Sequence, residues 1–173
     1  MNCPEVSPLQ STSTHFSPLR ILCILMTIVC MTAIFMFSTE DAEESTDTSG
    51  SVIEAVVSVI MPNYSTMQEN EQQQLVEKLQ HLARKTAHFT IYLALGFFAS
   101  GAIGRRRALS RKSGAALGFC FLYACSDELH QHFVPGRSGQ FTDVLLDSTG
   151  AFFGILISLG LLYLTRKKTA PQS

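Results

Sequence analysis

The chain has 173 residues, of which 46% are hydrophobic and only 16% charged, and its formal net charge is −1. That length allows one domain, and five cysteines without a CxxC pair or secreted-type spacing exclude a disulfide framework. Apolar residues fall in blocks separated by charged clusters, which predicts an all-α membrane protein.

Residues 1 to 18 are rich in Ser, Thr and Pro and read as a disordered tail. Arg20 precedes an apolar run from Ile21 to Phe37 with no small-residue cleavage site at its end, so a membrane span over about 20–38 is expected rather than a signal peptide. The chain then turns acidic, with Glu40, Asp41, Glu43, Glu44 and Asp47 close together. Ser51 to Ile60 is apolar but too short to span, and should lie against the bundle or the lipid interface. Leu75, Leu79 and Leu82 recur at helical spacing on an otherwise polar helix. No glycine or proline separates that helix from the second apolar run, placed at 86–104, so it is free to continue straight into it.

The third run, Ser113 to Ser126, crosses only if its helix continues to about Phe133, giving a span over 113–133. Pro135-Gly136 then ends it. A fourth span covers 143–164. The fold expected is therefore a four-helix transmembrane bundle, residues 19–166, with an acidic, partly helical loop between spans one and two and a short tail from 167 to 173. Arg105-Arg-Arg-Ala-Leu-Ser-Arg-Lys112 and Arg166-Lys-Lys168 should be cytoplasmic, which puts both termini inside. Orientation and anionic lipid explain these basic clusters better than nucleic acid does. The acidic loop and the polar ends of spans two to four then face outward.

That outer end carries the chemistry. Ser126-Asp-Glu-Leu-His-Gln-His-Phe-Val-Pro-Gly-Arg137 sets two acids, two histidines, a glutamine and an arginine against apolar sequence. Polar groups at such depth must pair with one another or serve a ligand. His88, Tyr92 and Gly96 share one face of span two; Asp143, Asp147, Gly150 and Gly154 share one face of span four. GxxxG patterns at Gly114/Gly118 and Gly150/Gly154 favour close helix packing. In span three, Asp127 and Gln131 share a face, and Glu128 and His132 the neighbouring one. A carboxylate and an imidazole one turn apart suit a divalent metal, which His88 or His130 could complete. With no HExxH spacing and no cysteine ligand, hydrogen bonding at the wet boundary is the plainer reading, and neither metal nor cofactor is expected. Arg137, aimed by a rigid turn, suits either an ion pair with Asp127 or Glu128 or a clamp on phosphate or carboxylate; both stay open. Lys85 and Arg84 read first as membrane-interface anchors. No serine or cysteine is poised as a nucleophile, and phosphate loops are absent.

Arg84-Lys-Thr-Ala-His-Phe-Thr-Ile-Tyr-Leu-Ala-Leu-Gly96, the Ser126–Arg137 stretch, and Asp143-Val-Leu-Leu-Asp-Ser-Thr-Gly150 with Gly154, in that order, resemble the VanZ-like family of bacterial membrane proteins. Phe37-Ser-Thr-Glu40 resembles the family's Phe-Ser-x-Gln ending of span one, with Glu in place of Gln, and Asp147 stands where many members have Asn. The resemblance implies a multi-pass protein of the bacterial cytoplasmic membrane, associated with resistance to the glycopeptide teicoplanin. Its matching residues here are Lys85, His88, Tyr92, Asp127, Glu128, Gln131, Pro135, Arg137 and Asp143; the residues themselves add His130 and Asp147. The leading expectation is a non-enzymatic outer site that binds a cell-wall precursor, a lipoglycopeptide or a partner protein. The alternative is an enzyme acting on an envelope lipid or wall precursor by Asp/Glu/His acid–base chemistry. A transporter ranks last, because the acids gather at one end and not at the midplane.

Overall fold

An apolar run without internal proline satisfies its backbone most simply as a helix, whatever surrounds it. The computed structural model describes residues 17–39, 42–103, 111–135 and 139–169. The expectations for residues 1–16, Glu40, the basic loop 105–110, Arg137 and residues 170–173 lie outside them. The described residues form α1 (Pro18–Thr39), α2 (Ala42–Ile60), α3 (Glu69–Ala102), α4 (Arg111–Gln131) and α5 (Phe141–Thr169), with a 3₁₀ turn at Tyr64–Thr66 and no strand. Pro18 occupies the first helical position of α1, where its missing N–H has no intrahelical partner to lose.

The polar and apolar parts of α3 are one uninterrupted helix of 34 residues, about 51 Å long. That exceeds the roughly 30 Å of a bilayer's hydrocarbon, so its N-terminal turns extend well beyond any span. The apolar segment 51–60 is the last half of α2, which packs on α3. α4 stops at Gln131, two residues before the expected end, and its final turn tightens as Phe133 and Val134 donate to the carbonyls of His130 and Gln131.

Polar groups are buried beside the apolar core, and large apolar side chains cover the outside of α1 and α5. Thr27, Ser38, Ser100, Asp127, Glu128, Asp147 and Ser158 are buried, while Leu22, Leu25, Ile28, Phe152, Leu156 and Leu161 face outward. Hydroxyls within the apolar helices bond to their own backbone, as Thr27 does to Cys23 and Thr149 to Leu145. Among the described residues, α1 and α5 through Thr165 are long and apolar enough to cross a membrane. The other two expected spans, in α3 and α4, do not reach that apolarity. Polar residues such as Lys85, His88, Asp127 and Glu128 sit within them and lower their average.

α3 is the hub, with α5 as its most extensive partner and α1, α2 and α4 also against it. Close approach of α3 and α5 follows from glycine. A Cβ on Gly96 would collide with the Ala151 carbonyl, one on Gly154 with the Leu93 carbonyl, and one on Gly150 would lie 2.5 Å from the Phe89 carbonyl oxygen. The second GxxxG does not act this way. Among the described residues nothing lies within 4 Å of a Cβ built on Gly114 or Gly118, and both glycines are exposed, so no described helix packs closely on them. Cys30 and Cys120 are buried in the core with Ile34, Tyr92, Leu95 and Ala124, and Cys23 packs its sulfur on Gly101; all four described cysteines are free. At the opposite end from the acids, Arg20 Nε donates to the Ala102 carbonyl (2.7 Å), placing a cation on the C-terminal end of α3.

Candidate functional site

The two faces read separately from the sequence lie against each other. α3 presents His88 and Tyr92 to the face of α5 that carries Asp143 and Asp147, because Gly96, Gly150 and Gly154 hold the backbones close just below. α4 completes the third wall with Glu128 and Gln131, with Asp127 buried behind them. Together these helices enclose a cavity of about 190 Å³, far larger than a single water needs, whose lining includes Lys85, His88, Glu128, Gln131, Asp143 and Asp147.

Each wall is tied to another by a polar contact. Lys85 Nζ lies 2.5 Å from Asp143 Oδ1, linking α3 to α5. The ammonium points inward to a carboxylate, in place of the outward anchor first expected of Lys85. Glu128, 7% exposed, accepts a hydrogen bond from the Gln140 backbone N–H at 2.6 Å and so holds the start of α5 to the end of α4. Gln131 Nε2 donates to Asp127 Oδ2 and to Ser38 Oγ, both at 3.2 Å, which brings α1 into the network. Tyr92, fully buried, sends its hydroxyl to the same Asp127 oxygen at 3.4 Å. Tyr123 ties α4 to the Met31 carbonyl at 2.7 Å.

Deeper still, His88 Nδ1 stands between two carboxylates, 3.9 Å from Asp127 Oδ2 and 3.8 Å from Asp147 Oδ2. Both acid side chains are only 3% exposed. Among the described residues, one ligand atom from each of His88, Asp127 and Asp147 lies within 4.8 Å of the others, the spacing of a metal-binding group. It is a different set from the Glu128–His132 pair suggested by spacing. His132 is exposed and meets Phe133 edge-on, and His130 stacks on Phe35 of α1 at 5.2 Å, outside the cavity lining.

Sequence reading missed His81, Arg84 and Gln140 as cavity residues and Ser38 as the partner of Gln131. A signal existed for two of them. His81, Arg84, Lys85 and His88 fall at i, i+3, i+4 and i+7, which continues the face of Tyr92 and Gly96 upward by two turns.

No curated protein and no solved structure matches the chain. A family model described as VanZ/LLP1 matches residues 23–163, from the first turns of α1 nearly to the end of α5. The match takes in the cavity walls and every tie between them, and the chain belongs to the VanZ/LLP1 family.

Proposed function

We propose that this protein crosses the bacterial cytoplasmic membrane four times with both termini inside, and that its polar cavity opens outward to bind an anionic envelope ligand. The observation that carries this reading is the cavity itself. Arginine, lysine and histidine line it together with carboxylates, where the apolar parts of α3, α4 and α5 give way to polar sequence. Such groups are costly near lipid unless they pair with one another or serve a ligand, and a cavity left open among the paired groups supports the second. The basic clusters at 105–112 and 166–168 support the orientation. The ligand classes that fit are a lipid-linked wall precursor and a lipoglycopeptide, and binding either would contribute to teicoplanin resistance. An apolar groove between α2 and α3, lined by Val52, Val56, Leu79, Leu82 and Ile91, runs along the same stretch of α3 and suits an acyl chain.

The test is teicoplanin susceptibility of a sensitive bacterium expressing wild type, Asp127→Asn, Glu128→Gln or Arg137→Lys at matched membrane levels. Wild type should protect several-fold and each variant should lose most of that protection. Lysine keeps the charge of Arg137 but loses the planar fork, so it tests geometry and not sign. Equal protection by all three variants would make the polar cluster structural, and no protection by wild type would remove the resistance reading.

One observation favours a second reading, an enzyme acting on the same ligands: an imidazole set between two buried carboxylates is suited to proton transfer. It requires turnover. Purified protein that alters none of a panel of envelope lipids and wall precursors excludes it.

A further inference from the structure

We infer that His88, Asp127 and Asp147 form a binding site for a divalent transition-metal cation, of which zinc is the best fit, at the floor of the outer cavity. Three observations carry it. The first is distance. His88 Nδ1 lies 3.8 and 3.9 Å from the two carboxylate oxygens, beyond the reach of a hydrogen bond. Zinc bonds of about 2.0–2.2 Å set tetrahedral ligand atoms roughly 3.3–3.6 Å apart; one ligand atom from each of the three residues lies within 4.8 Å of the others, so a small inward shift of the side chains brings them around one ion.

The second is an orphaned acceptor. Asp147 is 2% exposed, yet its Oδ1 has no hydrogen-bond partner among the described residues. A buried carboxylate oxygen left in that state is costly, and a cation bound by this side chain removes the deficit. The third is the support behind the ligands. Tyr92 and Gln131 hydrogen-bond the Asp127 carboxylate and fix its orientation, as the outer partners of a metal-binding carboxylate do, and either carboxylate oxygen can turn to the ion. One imidazole and two carboxylates without a thiolate suit zinc or manganese. Three protein ligands would leave a coordination position free for a further ligand, and His88 and Asp147 both line the cavity. The set draws one residue from each of α3, α4 and α5, which is why no sequence spacing announced it.

The experiment uses full-length, untagged protein in detergent, stripped with chelator and titrated with Zn²⁺ alone by equilibrium dialysis with elemental analysis. Wild type should take up one zinc per chain at micromolar or tighter affinity, with an X-ray absorption spectrum of nitrogen and oxygen neighbours only. His88→Ala and Asp147→Asn should each weaken uptake by about tenfold or more, while His132→Ala, which removes an exposed imidazole, should not. Wild type that binds no stoichiometric zinc overturns the inference, as does binding that survives both His88→Ala and Asp147→Asn. Should a variant fail to fold, the wild-type stoichiometry and spectrum still decide.

Discussion

Gly154→Ala is expected to break the pairing of α3 and α5, although alanine is the better helix former. A Cβ at this position would run into the Leu93 carbonyl oxygen, with the Leu93 carbonyl carbon and the Phe97 nitrogen just behind it. All three atoms are backbone within a helix, so none can swing aside as a side chain would. The helices must separate, and overpacking of this kind costs about 1–3 kcal/mol or more. The loss reaches function as well as stability, because Lys85–Asp143 and the approach of His88 to Asp147 both span this interface. Gly118→Ala supplies the control. Nothing lies within 4 Å of its Cβ, so the substitution should leave the bundle as stable as wild type, or more so by about 0.5–1 kcal/mol from helix propensity. Thermal unfolding in detergent, read with the monodisperse fraction, measures both. If Gly154→Ala unfolds no earlier than Gly118→Ala, the close approach of α3 and α5 is not what holds the bundle.

The two glycine patterns show where sequence reading reaches its limit. Gly114/Gly118 and Gly150/Gly154 are identical in spacing, yet one is pressed against a neighbouring backbone and the other meets open space. Spacing tells which residues share a face of a helix; it does not tell which face a partner will cover. The faces themselves were legible. His88-Tyr92-Gly96 and Asp143-Asp147-Gly150-Gly154 were each assigned correctly to one stripe, and the structure adds that the stripes meet. His130 shows the opposite case. It lies between Asp127 and Gln131 in the chain, but the helical turn carries it round to Phe35 on α1 and away from the cavity. The same blindness to pairing hid the His88–Asp127–Asp147 set, whose members come from three helices. The span count followed a different logic. Four apolar runs are visible in the sequence, but among the described residues only α1 and α5 are long and apolar enough to cross a membrane, because more polar residues fall within the apolar stretches of α3 and α4.

Glu128 allows the structural and chemical roles of the cluster to be separated. Its Oε1 receives the Gln140 N–H at 2.6 Å, just ahead of the first turn of α5, while Gly139 lies against the Glu128 carbonyl and the His132 side chain. The carboxylate thus latches the α4–α5 connection, the segment that also carries Arg137. Glu128→Ala removes the acceptor and the side-chain volume together. A hydrogen bond to a charged group contributes about 1.5–3 kcal/mol, and truncating a side chain that is 7% exposed adds a packing loss. The expected result is a clear fall in unfolding temperature, with faster proteolysis between α4 and α5. Glu128→Gln behaves differently, because its amide oxygen has the same reach and can still accept the Gln140 N–H. It should recover most of the stability lost in Glu128→Ala while lacking the negative charge. Any protection lost by Glu128→Gln then measures the charge and not the latch. Two variants equally unstable would mean that the ionised group itself closes the connection, and two variants as stable as wild type would mean that the Glu128–Gln140 contact holds nothing.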